Sequence, residues 1–324
     1  SMLSVFEIEA TVKKRWHQFN PTAAFLYNKL ATGGFRIGVS RGIISKALSQ
    51  ATGITRERIE ERLLEKWIPN ENWLKHLSRP VDDSEFNSSP LPFCLSNSFS
   101  YSNKQKPSTD KIQVEFKWDG MRAQIIIGQN NYRIWSRGDH DISHQFPDIL
   151  ESVKNLPENT IIDGEILILR EGIPQPFQDL QSRMNRKYVS KALIKKYPAY
   201  FRAYDLLRLK GVDFRLFPLR DRRMALENLP IDISKILQVE TWDQIQKVRD
   251  KAREFSAEGL MIKNINSKYL SGRKANTWWK WKLDPLNADL VLIYAQPGHG
   301  KRAGIHSDYT LAAQDHKNRY VPVT

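Results

Sequence analysis

The stretch Ile112-Gln-Val-Glu115-Phe-Lys117-Trp-Asp119-Gly120-Met-Arg122-Ala-Gln-Ile-Ile-Ile127 decides how the chain is read. Its two halves read as strands, the first alternating and the second ending in a continuous apolar run. They flank an Asp-Gly pair, the usual signal of a tight turn. Lys117 lies between an apolar strand and that turn, held on a rigid edge where a nucleophile is useful. Lys-x-Asp-Gly alone is a weak signal. By itself it fits an ordinary surface hairpin carrying a lysine.

Asn130-Asn131 then turns the chain into Tyr132-Arg-Ile-Trp135. Further strands are expected at 160–169, 199–209, 236–240, 259–264 and 277–283, and helices at 144–155, 175–186, 217–228 and 242–255. This is an α+β pattern built on antiparallel sheet, without the regular βαβ alternation of a doubly wound fold. Residues 3–75 read as helical, with apolar residues at helical spacing such as Ala24, Leu26, Leu30 and then Ile43, Ile44, Leu48. Thr55 is the expected N-cap of a helix starting in Arg56-Glu-Arg-Ile. From Ser78 to Asp110, Pro80, Pro90, Pro92 and Pro107 among Ser and Asn read as a linker. Beyond Pro285, Ala288-Asp-Leu-Val-Leu-Ile-Tyr-Ala295 and two later short strands begin a β-unit too short to close a barrel. Ser1-Met2 reads as an addition ahead of a start site and is left out of fold reasoning.

The chain has 324 residues, enough for about two domains of ~100–200 residues each. Hydrophobic residues at 40% and charged residues at 27% exclude wholesale disorder. No apolar run approaches the roughly 18 residues of a membrane span, and no signal-peptide pattern opens the chain. A single cysteine, Cys94, excludes an intrachain disulfide and a cysteine-based metal site, and points to a reducing compartment. Fifty Lys and Arg against 36 Asp and Glu give a net charge of +14. The excess runs through the whole chain, at +3 over 1–100, +7 over 101–270 and +4 over 271–324. Such an excess favours a polyanionic partner, because each neutralised phosphate releases condensed counterions.

The hairpin lysine has ordered company. Asp163-Gly164-Glu165 follows Ile161-Ile162 and precedes Ile-Leu-Ile-Leu, placing an acidic pair at a strand-to-strand turn. Glu258-Gly-Leu-Met-Ile-Lys263 has a carboxylate at a strand start and a lysine at its end. In Trp278-Trp-Lys280-Trp-Lys282 the alternation sends Lys280 and Lys282 to one face. The glycines of Tyr294-Ala-Gln-Pro-Gly-His-Gly-Lys301-Arg302 do not have P-loop spacing. His140, His144, His299 and His306 show no metal-ligand spacing.

Together these segments resemble the nucleotidyltransferase motifs of the ATP-dependent DNA ligases, whose core is shared with RNA ligases and mRNA capping enzymes. Lys117-Trp-Asp-Gly-Met-Arg122 matches the nucleotide-binding lysine motif, and Ser136-Arg137-Gly138 resembles the next. Asp163-Gly-Glu165, Ala203-Tyr204-Asp205, Glu258-Gly-Leu-Met-Ile-Lys263 and Lys280-Trp-Lys282 follow in the family's order. Thr32-Gly-Gly-Phe-Arg36-Ile-Gly-Val-Ser40 resembles part of the helical DNA-binding domain that precedes the core in many ligases. Ser267-Lys-Tyr-Leu-Ser-Gly-Arg-Lys-Ala-Asn-Thr-Trp278 and residues 294–304 also resemble ligase sequence, especially bacterial forms.

The resemblance implies a division into residues 1–103 (helical DNA-binding segment and linker), 104–285 (adenylation domain) and 286–324 (a truncated OB-fold start). The core would be an ATP-grasp-like nucleotidyltransferase. It implies that Lys117 forms a lysyl-AMP from ATP, that AMP passes to the 5′-phosphate of a nick, and that the 3′-hydroxyl then seals it. The excised piece is expected to perform only part of that cycle.

The same resemblance gives the site roles. Glu115, Arg122, Arg137, Glu165, Tyr204, Lys263, Lys280 and Lys282 hold the nucleotide, Tyr204 by stacking on adenine and Glu165 through the ribose. Glu258 is the better ligand for Mg²⁺ or Mn²⁺ and Glu165 the second. Arg36, Lys301 and Arg302 would touch DNA phosphates without reading bases. An ordinary lysine amine titrates near ~10.4 and is protonated at neutral pH, so Lys263, Lys280 and the metal ion are expected to favour the neutral nucleophile. The implied partner is nicked duplex DNA, with no membrane, for a monomer. The competing readings are an RNA ligase or mRNA guanylyltransferase, against which residues 32–40 and 294–304 argue, and a non-catalytic nucleic-acid-binding module.

Overall fold

The computed structural model describes residues 5–33, 38–64, 72–78, 89–101, 106–129, 131–184, 186, 188–285, 287–298 and 303–323. Fifteen strands are formed among these: β1 Cys94–Leu95, β2 Asn97–Ser98, β3 Ile112–Trp118, β4 Met121–Gly128, β5 Asn131–Ser136, β6 Thr160–Arg170, β7 Ile173–Pro174, β8 Ala199–Leu209, β9 Val212–Asp213, β10 Ala257–Asn264, β11 Gly272–Arg273, β12 Trp278–Lys282, β13 Val291–Pro297, β14 His306–Gln314 and β15 Tyr320–Pro322. The class is mixed α+β, with helices first and a three-stranded antiparallel sheet (β13-β14-β15) last.

Two sheets face one another in the middle of the chain. The larger runs β5-β4-β6-β8-β9 with β7 on β6, and the smaller runs β2-β12-β10-β3. Alternation along β4 and β6 sends Ala123, Ile125, Ile127, Ile162 and Ile166 to an outer core beneath the helices Pro147–Ser152 and Leu219–Glu227. The opposite face carries Ile126 and Ile161, which pack with Leu91, Cys94, Tyr269 and Trp278 between the sheets. Beyond the smaller sheet, Val114, Leu260, Ile262 and Trp281 bury against Ile245 of helix Trp242–Asp250. Each aliphatic side chain so buried contributes about 1.5–3 kcal/mol.

The expected hairpin at Asp119-Gly120 is not one. β3 pairs with β10 and β4 pairs with β5 and β6, so the turn carries the chain from one sheet to the other. The cause is tertiary. A Cβ on Gly120 would lie 2.3 Å from the Ile166 carbonyl oxygen, so the turn is packed onto β6 and the strands cannot fold back on each other. Lys117 therefore stands at the junction of two sheets. A second glycine serves the other side of that junction: Gly259 has φ +143°, and a Cβ there would meet the Trp281 carbonyl oxygen at 2.3 Å. Gly259→Ala is expected to cost at least about 3 kcal/mol, read as a lower denaturant midpoint, because strain and clash add.

Other expectations are corrected. Asp163 and Glu165 lie in the middle of β6, not at a turn. Residues 236–240 form no strand. Ile236 makes one isolated bridge to Glu115 and Ile233 one to Ala203, so this segment stitches the edges of both sheets. The helix expected at 144–155 is a 3₁₀ turn Ser143–Gln145 followed by Pro147–Ser152, with Pro147 opening the second. The 175–186 helix is confined to Phe177–Gln181, and 242–255 divides into Trp242–Asp250 and a 3₁₀ turn Ala252–Phe255. A helix at Lys191–Lys196, capped by Ser190, was not expected.

Part of the expected linker is core. Leu91 is fully buried, exchanging backbone hydrogen bonds with the Gln124 side chain, and β1 and β2 pair with β11 and β12. The core thus begins before residue 104. Pro80 lies outside the described residues.

The N-terminal helices are Val5–Gln18, Pro21–Ala31, Arg41–Thr52, Arg56–Arg62 and Trp73–Ser78. Asn20 and Ser40 cap theirs with side-chain hydrogen bonds, whereas Thr55 occupies the N-cap position without one. The helical spacing of Leu26, Leu30, Ile43 and Ile44 is present, but those side chains are exposed. Contact with the core runs through Arg41–Asp139, Glu60–Ser271 and Glu61–Arg215.

Candidate active site

The mouth between the two sheets is a cavity of about 540 Å³, within the range that holds small molecules. Glu115, Lys117, Arg122, Arg137, Glu165, Tyr204, Glu258, Lys263, Lys280 and Lys282 all line it. Strand alternation explains the convergence. Glu115 and Lys117 on β3, Met261 and Lys263 on β10, and Trp278, Lys280 and Lys282 on β12 face inward, while Val114, Leu260, Ile262 and Trp281 face the outer core.

Lys117 Nζ donates to Glu258 Oε1, and Lys282 Nζ lies 2.5 Å from Glu258 Oε2, so one carboxylate bridges two lysines. Burial opposes the charged form of Glu258, but the hydrogen bonds from Lys117 and Lys282 outweigh it and hold the carboxyl below its usual range. Lys280 has no acidic partner within ion-pair distance among the described residues. Its amine is pushed down by burial and by the like charges of Lys282, Arg273, Lys117 and Arg137. One end of the cavity is therefore a cation cluster.

Lys263 lines the cavity from β10. It is buried and paired to Glu115 at 2.6 Å, and its ammonium sits 4.7 Å from the Tyr204 and Trp278 ring centres. Its ammonium is thus paired across the two strands with a carboxylate on β3. Arg122 is equally committed. Nε and Nη2 grip Asp163 at 3.1 and 2.6 Å, and Nη1 donates to the Cys94 carbonyl at 2.6 Å. Burial also pushes the Cys94 thiol up to about 11, so it stays protonated. Arg137 lies exposed at the rim.

Glu165 is the unusual acid. Burial raises its carboxyl to about 8 against the pull of Lys117 and Arg122, with Asp163 and Glu258 adding repulsion. The raised value means the unfolded chain releases this proton near pH 4.5 and the folded chain only near 8. Stability should therefore fall as pH rises through that window. Glu165→Gln should remove that slope. Thermal unfolding at pH 5 and pH 8 should show wild type losing more on going to pH 8 than the variant.

Among the described residues no three His, Cys, Asp or Glu side chains gather as a metal site. Arg36, Lys301, Arg302 and His299 lie outside the described residues. Sequence reasoning missed Trp278 and Arg273, both of which line the cavity. The alternation that selected Lys280 and Lys282 places Trp278 on the same face. Met184 and Phe177, also lining residues, come from a separate segment with no motif signal.

A family model for the ATP dependent DNA ligase domain matches residues 94–282. A probable DNA ligase of Koribacter versatilis is 31% identical over 91% of this chain and 56% of its own length. DNA ligase 1 of Korarchaeum cryptofilum is 29% identical over 95% of this chain and 57% of its own. The solved structure described as "DNA binding with a minimal scaffold: Structure-function analysis of Lig E DNA ligases" has a TM-score of 0.52 at 17% identity, covering 72% of this chain and 83% of that one. The fold is thus that of a ligase core. The chain belongs to the ATP-dependent DNA ligase family. It spans a little over half the length of the curated relatives it matches. No helix among the described residues is long and apolar enough to cross a membrane.

Proposed function

We propose that the chain carries out the nucleotidyl-transfer chemistry of an ATP-dependent DNA ligase. The observation that carries this is Lys117, set at the junction of two sheets, in contact with Glu258 and facing a cation cluster. ATP enters with its phosphates toward Lys280, Lys282, Arg273 and Arg137 and its base toward Tyr204. The Lys117 Nζ lone pair forms the N–P bond to the α-phosphorus as the bond to pyrophosphate breaks. Glu258 Oε1 is the acceptor in contact with the proton that Nζ must lose. The cluster offsets charge gathering on the α-phosphate. AMP then passes to a nick 5′-phosphate, and the 3′-hydroxyl displaces it.

Glu165, held protonated around neutral pH, suits a hydrogen bond to a ribose hydroxyl better than a metal bond. Glu258 suits Mg²⁺ or Mn²⁺ as a single carboxylate ligand, the rest of the shell being phosphate oxygen and water. Such an ion would supply further charge compensation to the phosphates. In this reading residues before the core form a DNA-binding helical segment and β13-β14-β15 the start of an OB-fold, in a cytoplasmic monomer. Arg36, Lys301 and Arg302 are its phosphate contacts. Sealing of a singly nicked duplex with ATP and Mg²⁺ tests the proposal. Adenylylated 5′ ends are expected, sealed strand would extend the activity to the last step, and neither product would refute it.

A further inference from the structure

Residues 265–271 link β10 to β11 and are not used in the chemistry above, yet they touch both cavity-lining side chains and an N-terminal helix. Tyr269 is buried, with its ring edge-on to Trp278. Its hydroxyl donates to Asp163 Oδ2 at 2.7 Å and accepts from Arg122 Nη2 at 3.3 Å. Arg122, Asp163 and Tyr269 thus form a closed triangle. Of the five N–H donors of a guanidinium, Nε–H, both Nη2–H and one Nη1–H of Arg122 are taken by Asp163, Tyr269 and the Cys94 carbonyl. The second Nη1–H has no acceptor among the described residues, and because Arg122 lines the cavity it is the donor left for a ligand there.

The loop bearing Tyr269 is clamped from outside. The Tyr269 amide donates to the Arg215 carbonyl at 2.8 Å, and the Arg215 guanidinium reaches Glu61 at 2.5 Å. Ser271 Oγ donates to Glu60 Oε2. Glu60 and Glu61 are both buried on the helix Arg56–Arg62. A short helix of the N-terminal segment therefore grips the loop two residues from the tyrosine that orients a cavity arginine.

We infer that Tyr269 is a positioning residue for nucleotide binding: through Asp163 it aims the spare N–H of Arg122 into the cavity, and helix Arg56–Arg62 holds it there through Ser271 and Arg215. The inference rests on the nucleotide reading of the cavity.

Calorimetric titration of the whole chain with ATP, for wild type, Tyr269→Phe, Arg122→Lys and the double variant, tests it. The phenylalanine keeps the ring and removes only the hydroxyl. Tyr269→Phe should weaken ATP binding about tenfold, the scale of one hydrogen bond to a charged group. In the Arg122→Lys background it should add less than about twofold, because a residue acting through Arg122 is silent once Arg122 is gone. Equal losses in both backgrounds, or none in the first, would overturn the inference. Glu60→Gln, at a residue that does not line the cavity, should weaken binding about threefold; it keeps the test available should Tyr269→Phe not fold, and an unchanged affinity would refute the clamp. Wild type that does not bind ATP would overturn the nucleotide reading itself, an outcome separate from binding that Tyr269→Phe leaves unaltered.

Discussion

Lys117→Ala is expected to abolish attachment of AMP to the chain, by more than about a thousandfold, while leaving affinity for DNA nearly unchanged. Lys117 is where β3 leaves the smaller sheet, and the remaining lysines of the cluster are placed differently. Lys263 is tied to Glu115, Lys282 bridges to the far oxygen of Glu258, and Lys280 lies two strands away, across β10. None can replace its amine at the same point. Lys117→Arg should fail equally, because a guanidinium keeps the charge and the bond to Glu258 but does not deprotonate to a nucleophile. Mass spectrometry after incubation with ATP and Mg²⁺ reads both. AMP retained on either variant would move the nucleophile elsewhere.

The largest expected loss of stability is at Arg222, far from the chemistry in sequence but one layer behind it. Arg222 and Asp205 are fully buried and paired through two hydrogen bonds of 2.7 and 2.8 Å, and Arg222 also donates to the carbonyls of Phe217 and Ser267. Arg222→Met keeps the volume but leaves a buried carboxylate beside Tyr204 without its counter-charge. Removing one partner of such a pair typically costs about 3–5 kcal/mol. The denaturant midpoint should fall accordingly, and Asp205→Leu with Arg222→Met should recover much of it. A loss under about 1 kcal/mol would mean that water reaches Asp205.

The site was more legible than the path of the chain through it. Lys117, Glu258, Lys280 and Lys282 announce themselves because each is a charged residue in an apolar, strand-forming run, where alternation dictates the face it occupies. What the sequence conceals is whatever depends on a distant partner. Nothing near Asp119-Gly120 says that Gly120 will rest on the Ile166 carbonyl and send the next strand into another sheet. Nothing near Lys263 says that Glu115, 148 positions earlier, will neutralise it. Residues 89–99 look like linker because they are rich in Pro and Ser, yet Leu91 is captured by Gln124 on the larger sheet. The exposed apolar stripe of the first helices shows the converse. Helical periodicity there is genuine, while burial depends on what stands opposite. Tyr269 lay in a stretch that resembles ligase sequence, but nothing local marked its role, which comes from Asp163 and Arg122 on neighbouring strands.

The central claim is that this cavity takes ATP and that Lys117 carries AMP away from it. The most direct measurement is the intact mass of the wild-type chain before and after incubation with ATP and Mg²⁺, followed by addition of pyrophosphate. A gain of one AMP on the peptide containing Lys117 is expected, and its loss when pyrophosphate is added. A chain that carries no AMP as purified and gains none would contradict it.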